Sequence, residues 1–406
     1  MTATSLAAGQ SSALVARTRE IDRPADLVDE LDPDGFAWLE DGTGFVTAGV
    51  AARVAAADAR AVLARIDVDD PITRPGTGAL AVGALPFDAA ATGELVIPAR
   101  VVGVDTDGRA WCTEIGTPLP VRAPQPPTAT RFTVESRVDR ASWRAQVRTL
   151  LDAVAAGTLA KAVLAREVVV SSDAPFDTRA VIRRLRRTQG GCFVFAADGL
   201  VGATPELLVQ RRGPTVVSRP MAGTIARGAT GPADAAAEAA LAASAKDGWE
   251  HRLVVDAVVE GLRGAGVDVT TVTGPQVARL ATMSHLATTI TGRIDRSTPA
   301  TPAMSALELA CALHPTPAVG GEPREVALAM LRDLEPFDRH RYAGPVGWVD
   351  GRGDGAWGVA LRCAEIEGRK ARLVAGAGIV AGSDPDAEWA ETQAKLEPML
   401  QALVSP

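Results

Sequence analysis

The order of its apolar runs is what most restricts the fold of this chain. Runs that read as strands follow one another with only occasional helical stretches between them: KAVLAREVVV (residues 161–170), CFVFAA, ELLVQRR, HLATTITGRI, YAGPVGWVD, GVALRCAEI and ARLVAGAGIV. Helical spacing appears in SRVDRASWRAQVRTLLDAVAAGTLA, ending near Gly157. It recurs in the long DAAAEAALAASAKDGWEHRLVVDAVVEGLRGAG, closed by Gly264, and in the C-terminal DAEWAETQAKLEPMLQALV. Such an order argues against a doubly wound parallel sheet. It predicts an α+β fold of large, mostly antiparallel sheets flanked by helices. Upstream, GALAVGALPF and ELVIPARVVGV read as strands, and the alanine-rich AGVAARVAAADARAVLARI as a helix. The proline-rich residues 122–132 are the best boundary candidate. The expected division is a flexible tail at 1–18, an N-terminal part at 19–131 and a core at 132–406.

Composition narrows the class. With 406 residues, 47% hydrophobic and 22% charged, the chain can bury a sizeable core. Its 42 basic and 49 acidic residues are interspersed, with a net charge of −7 and no basic run, so nucleic acid is not an expected partner. Cys112, Cys192, Cys311 and Cys363 form no CxxC pair, which points to a reduced, cytoplasmic setting. No apolar stretch is long enough to predict a membrane span. The opening MTATSLAAGQSSALVAR lacks the basic start and apolar block of a signal peptide.

Two stretches carry acidic pairs at helical spacing. EWAETQAK places Glu388, Glu391 and Lys395 on one helix face, and KDGWEH does the same for Asp247 and Glu250. Alone, each reads as a solvated face. If the two helices meet, the carboxylates repel unless a cation lies between them. Magnesium, which takes one or two carboxylates and leaves room for substrate, is the natural candidate.

Lys161 opens a buried strand, where an amine is costly unless paired or neutral, and a neutral lysine is a usable base. Glu206, in GATPELLVQ, precedes an apolar run; burial there would raise its pKa and make it a proton donor. Gly223 and Thr224 in RPMAGT, and Gly376 and Gly378 in VAGAGIV, let a ligand approach backbone N–H groups. Arg362 can clamp a carboxylate. Tyr342, the single tyrosine, can add a hydroxyl donor. His285 begins a strand-like run, and His314 adjoins a rigid Pro/Gly loop.

Taken together, KAVLAREV, ATPELLV, RPMAGT, KDGWEHRLVVD, SHLATTITG, HPTPAVGGEP, EPFDRHRYAGPVGW, ALRCAEI, AGAGIV and EWAETQAK resemble the chorismate-utilising enzymes, over about residues 142–400. That family includes isochorismate, salicylate, anthranilate and aminodeoxychorismate synthases. The resemblance implies the fold of anthranilate synthase component I. It implies Glu250 and Glu388 as magnesium ligands, with Glu391 and Asp247 nearby. Gly223 and Thr224 would hold the ring carboxylate of chorismate, with His285 orienting it. Tyr342, Arg362, Gly376 and Gly378 would cradle the enolpyruvyl carboxylate, with Lys395 close by. Lys161 resembles the base that activates water, and Glu206 the acid that protonates the departing C4 hydroxyl.

Within the family, Lys161 matches the members that use water rather than ammonia. Ala222 stands where aminodeoxychorismate synthases of the lysine-nucleophile type carry a lysine. HPTPAVGGEP, EPFDR and AGPVGW are similar to the isochorismate synthase version of this region. The implied activity is magnesium-dependent isomerisation of chorismate to isochorismate, feeding menaquinone or siderophore synthesis, by a monomer without a glutamine amidotransferase subunit. Alternatives are a salicylate synthase, which also expels pyruvate, and a non-catalytic chorismate-binding protein. A phosphotransferase lacks support, because there is no P-loop or kinase lysine motif.

Overall fold

The structure, a computed structural model, describes residues 14–116, 129–294 and 303–404. All but the end of the proline-rich boundary, and most of the expected tail, lie outside these residues. The tail boundary shifts, because Val15–Ile21 is a strand paired with Ala110–Ile115.

The described strands form one hydrogen-bonded network. It can be followed as two runs. In the first, Lys161–Ser172 lies between Phe132–Ser136 and Lys370–Ile379. The run continues through Cys363–Glu367, Leu200–Thr204, Phe193–Ala197 and Ala37–Glu40 to Thr43–Ala55 and Glu94–Val104. In the second, Val267–Arg279 and Met283–Ile294 lead through Thr215–Arg219 and Leu207–Arg212 to Gly355–Val359, Pro345–Asp350 and Leu80–Ala84. Val82 then pairs with Val96, which joins the runs. All these pairings are antiparallel; Val15–Ile21 with Asp67–Asp69 is parallel. The two runs share one core, to which Trp38, Phe45 and Phe195 contribute from the first and Val209, Trp348 and Trp357 from the second.

The outer face of the first run is covered by helices. Val181, Ile182 and Leu185 of Thr178–Thr188 and Leu396, Met399 and Leu403 of Pro385–Val404 pack on Val168, Val170, Leu373 and Ala375. Trp143, Val147 and Leu150 of Arg140–Ala155 pack on Ala162, Leu164, Ala377 and Ile379. The central strands are therefore buried on both faces, which is why they read as unbroken apolar runs. Among the described residues no helix is long and apolar enough to cross a membrane.

Three expectations about elements need correction. The alanine-rich stretch is divided: its first half belongs to the strand Thr43–Ala55, which pairs with Glu94–Val104, and its second half holds a 3-10 turn at Ala56–Asp58 and the α-helix Ala59–Leu63. The long acidic helix is two, Gly231–Ala243 and Ala245–Gly264, because Ser244 is extended and caps the second by accepting from the Asp247 N–H. GVALRCAEI is two strands, Gly355–Val359 and Cys363–Glu367, broken where Arg362 takes φ 48°.

Candidate active site

Side chains alternate across a strand. In Lys161–Ser172 the residues Ala162 and Leu164 point to the helices, so Lys161, Val163 and Ala165 point inward. The adjacent strand Lys370–Ile379 sets Gly376 opposite Ala165 and Gly378 opposite Val163. A Cβ at Gly378 would stand 2.5 Å from Glu250 Oε1 and 3.1 Å from Lys161 Cε. At Gly376 it would stand 3.4 Å from the Tyr342 hydroxyl. The glycines thus open the floor on which Glu250 and Lys161 meet, 2.8 Å apart, with Lys161 only 1% exposed.

A cavity lies above this floor. Gly223, Thr224, Glu250 and His285 line one side; Tyr342, Arg362, Gly376 and Gly378 line another; Glu206, Glu391 and Lys395 complete its polar wall. Every sequence-predicted site residue lines it except Lys161, which lies below Gly378, and Asp247 and Glu388. Val163, Ala318, Val319 and Leu361 supply apolar lining. His314 lies apart: its Nε2–H donates to the Phe87 carbonyl oxygen at 2.8 Å.

Local geometry aims these groups. A bulge between Ala222 and Thr224 puts Gly223 at φ 74°, a conformation that disfavours other residues, and sets Thr224 opposite His285. Thr224 Oγ1 is 3.0 Å from His285 Nδ1, and Arg362 donates to His285 Nε2 at 2.7 Å. Burial and the Arg362 charge hold the His285 pKa well below its ordinary value, so the ring is neutral. With Nε2 accepting, Nδ1 carries the proton and donates to Thr224, leaving that hydroxyl free to donate into the cavity. Arg362 Nη1 is buried with no hydrogen-bond partner. A buried guanidinium with an unused donor beside a cavity is a receptor for an anionic oxygen. Lys395 Nζ donates to the Gly376 carbonyl at 2.9 Å and pairs with Glu391 at 2.7 Å.

Glu206 follows the strand Leu200–Thr204, and its N–H donates to Thr204 Oγ1 at 3.2 Å. Burial pushes its carboxyl up to about 7, against the opposing pull of Lys161, the Met221 N–H and Lys395. It can therefore hold a proton near neutrality. Burial also raises the Tyr342 hydroxyl, which stays protonated.

The two acidic helices do face one another, but not as a finished metal cage. Among the described residues no three carboxylates, cysteines or histidines are placed to hold an ion. Instead, the acids expected as ligands are paired individually: Glu250 with Lys161, Glu391 with Lys395, and Glu388 with Lys246 at 3.1 Å. Asp247 turns back to accept from the Ser244 hydroxyl. The donor set nevertheless fits a hard cation. Burial and then the nearby Glu391 charge raise the Glu388 carboxyl, whereas Glu388, Glu250 and Asp247 all favour the charged form of Lys246. A cationic group already sits where these carboxylates converge.

Two contributors were not singled out in the sequence. Lys246 belongs to the quoted KDGWEH stretch, but its Glu388 partner is 142 residues away. Arg166, on the strand of Lys161, is 1% exposed. It donates to Thr392 Oγ1 at 2.7 Å and Gln393 Oε1 at 2.8 Å, and its guanidinium lies 4.1 Å from the Trp389 ring centre. It anchors the helix that carries Glu388 and Glu391. A charged residue inside KAVLAREVVV was the available signal.

A sheet-built cavity with a protonated carboxyl, a guanidinium with one unused nitrogen and facing acidic helices defines an acid–base enzyme for a small anionic substrate. Residues 113–404 match the family described as chorismate binding enzyme, and the chain belongs to that family. It is 43% identical over 351 residues to a Mycobacterium tuberculosis protein designated MenF, covering 81% of this chain and 88% of that one. To the isochorismate synthase DhbC of Bacillus subtilis it is 38% identical over 335 residues, 80% of each. The structure of MenF, the menaquinone-specific isochorismate synthase of Escherichia coli, superposes with a TM-score of 0.81 at 26% identity, covering 98% and 97% of the two chains. Anthranilate synthase component I of Streptococcus pneumoniae shares the fold, with a TM-score of 0.67 at 19% identity over 98% and 94%. The expected α+β architecture and family are both correct.

Proposed function

We propose that this chain is an isochorismate synthase that adds water at C2 of chorismate and expels the C4 hydroxyl. The observation that carries the reading is Glu206: a fully buried carboxyl, held protonated to about 7, on the wall of a cavity that also presents Arg362, whose Nη1 has no hydrogen-bond partner. The similarity to isochorismate synthases supports the choice of substrate.

Arg362 Nη1 and the Thr224 hydroxyl bind the carboxylates, and the backbone at Gly223, Gly376 and Gly378 lets them approach closely. Tyr342 donates from the same wall, and neutral His285 fixes both Thr224 and Arg362. Lys161 removes a proton from water as its oxygen bonds to C2. The ring double bonds shift, the C4–O bond breaks, and Glu206 gives its proton to the departing hydroxide. One water enters and one leaves, and the two side chains then exchange protons with solvent to reset. Glu250 and Glu388, with Glu391 and Asp247, would hold magnesium, which when bound neutralises and orients the ring carboxylate. Glu250 is the residue shared between the two assignments, since it also pairs with Lys161. The four unpaired cysteines support a reducing, cytoplasmic setting.

Replacing Lys161 with Ala tests the base. Acid–base assistance is worth about a hundred- to ten-thousand-fold, so turnover of chorismate should fall by that range while binding, followed by tryptophan fluorescence, survives. Near-full turnover in the variant would remove Lys161 from the reaction.

A further inference from the structure

The metal-side carboxylates have three lysine partners, and the lysines differ in exposure: Lys395, on Glu391, is 24% exposed and also donates to the Gly376 carbonyl. Lys161 is 1% exposed and enclosed below Gly378, whereas the Lys246 side chain is 41% exposed. Lys246 sits at the start of the helix Ala245–Gly264 and reaches across to Glu388, which is 5% exposed and lies on the facing helix. Glu388 is also close enough to Glu391 for the two charges to oppose one another. Without a counter-charge, this acidic pair on one helix and Asp247 and Glu250 on the other would push the helices apart.

We propose that Lys246 is a tethered, displaceable counter-ion: its ammonium holds the acidic helices together in the metal-free enzyme and swings out to solvent when a divalent cation takes Glu388. The inference rests on the magnesium reading above and deepens it. The geometry makes Lys246 the lysine that leaves. A half-exposed lysine on a flexible stem rehydrates in place, whereas Lys161 is enclosed at 1% exposure and Lys395 is tied to the Gly376 carbonyl. A cation entering the site must compete with a covalently attached charge. Metal affinity is therefore weakened in the free enzyme, and the carboxylates remain closely spaced before the metal arrives.

The test is calorimetric titration of metal-free wild type, Lys246→Met and Lys246→Gln with magnesium chloride. It is paired with acylation of wild-type Lys246 by an amine-reactive ester, read by mass spectrometry with and without magnesium. Displacement predicts magnesium binding at least tenfold tighter in both variants, persisting at high salt, where a merely long-range charge effect is screened. It also predicts faster Lys246 acylation in wild type when magnesium is present. Equal or weaker magnesium binding by the variants, or unchanged acylation of a wild type that binds magnesium, would overturn the displacement and leave the magnesium reading standing. If no protein of the three binds magnesium, the magnesium reading itself fails, and this inference with it. The acylation arm needs no variant, so it decides even if both substitutions impair folding.

Discussion

Gly378 shows how little space the chemistry leaves. A single methyl there collides with Glu250 Oε1 at 2.5 Å, and the backbone is held by pairing with Val163. Gly378→Ala should therefore lower kcat by about a hundredfold or more, since displacing a reacting group by an ångström costs on that order. Its circular dichroism and melting should stay close to wild type; an active variant would show that the Glu250–Lys161 geometry is not needed. Glu206 offers a test that does not depend on activity. Its folded-state pKa is raised, from an ordinary 4.5 to about 7, so ionising it disfavours the folded state and stability is lost as pH rises through that window. The effect is on the order of 3 kcal/mol at most. Glu206→Gln removes it, and should gain stability over wild type at pH 8.5 but little at pH 4, measured by urea unfolding. Most of these residues were legible in the sequence because each sits in a short motif whose side chain faces the site. Lys246 and Arg166 were not, because their roles are set by partners brought from the far C-terminal helix.

At the scale of elements, the strand Lys161–Ser172 and the helix Pro385–Val404 act as one unit. Arg166 joins them through two side-chain hydrogen bonds and the Trp389 ring, and the Trp143 indole donates to the Pro385 carbonyl at 3.0 Å from the next helix. Burial lowers the Arg166 pKa to about 10, which records how little charge compensation it has. Its function is positional. Arg166→Met should cost about 2 to 4 kcal/mol in unfolding free energy through the lost bonds at Thr392 and Gln393. It should also raise the magnesium concentration needed for half-maximal activity more than it lowers kcat at saturating magnesium; a fall confined to kcat would argue against a positioning role. Element reading failed where local preference and tertiary pairing disagree. Alanines favour a helix in isolation, yet Thr43–Ala55 is held as a strand by Glu94–Val104. Ser244 and Arg362 break elements for reasons of capping and backbone conformation that apolar periodicity does not register.

For the whole molecule, the sheet network explains how residues from 161 to 395 reach one cavity, although the path of the strands was not readable from their order in sequence. The same burial that builds the cavity makes the fold sensitive to acid. His251 and His314 are both depressed by burial to about 4, and His285 is held well below 6.5. Unfolded histidines take up protons below about 6.5, so this stability is present above that value and is lost as pH falls toward 4. Each contributes roughly 2 kcal/mol of loss by pH 5. The urea midpoint should therefore drop between pH 7 and pH 5, and His314→Gln, whose side chain can still donate to the Phe87 carbonyl, should drop less. An equal drop in both proteins would assign the acid sensitivity to other groups. The most direct test of the account is to run the purified protein with chorismate and magnesium in ¹⁸O-labelled water and follow the products by liquid chromatography and mass spectrometry. Water attack at C2 predicts isochorismate carrying one solvent oxygen, accumulating to a mixture with chorismate and without pyruvate. An unlabelled isomer, or salicylate and pyruvate rising together, would contradict it.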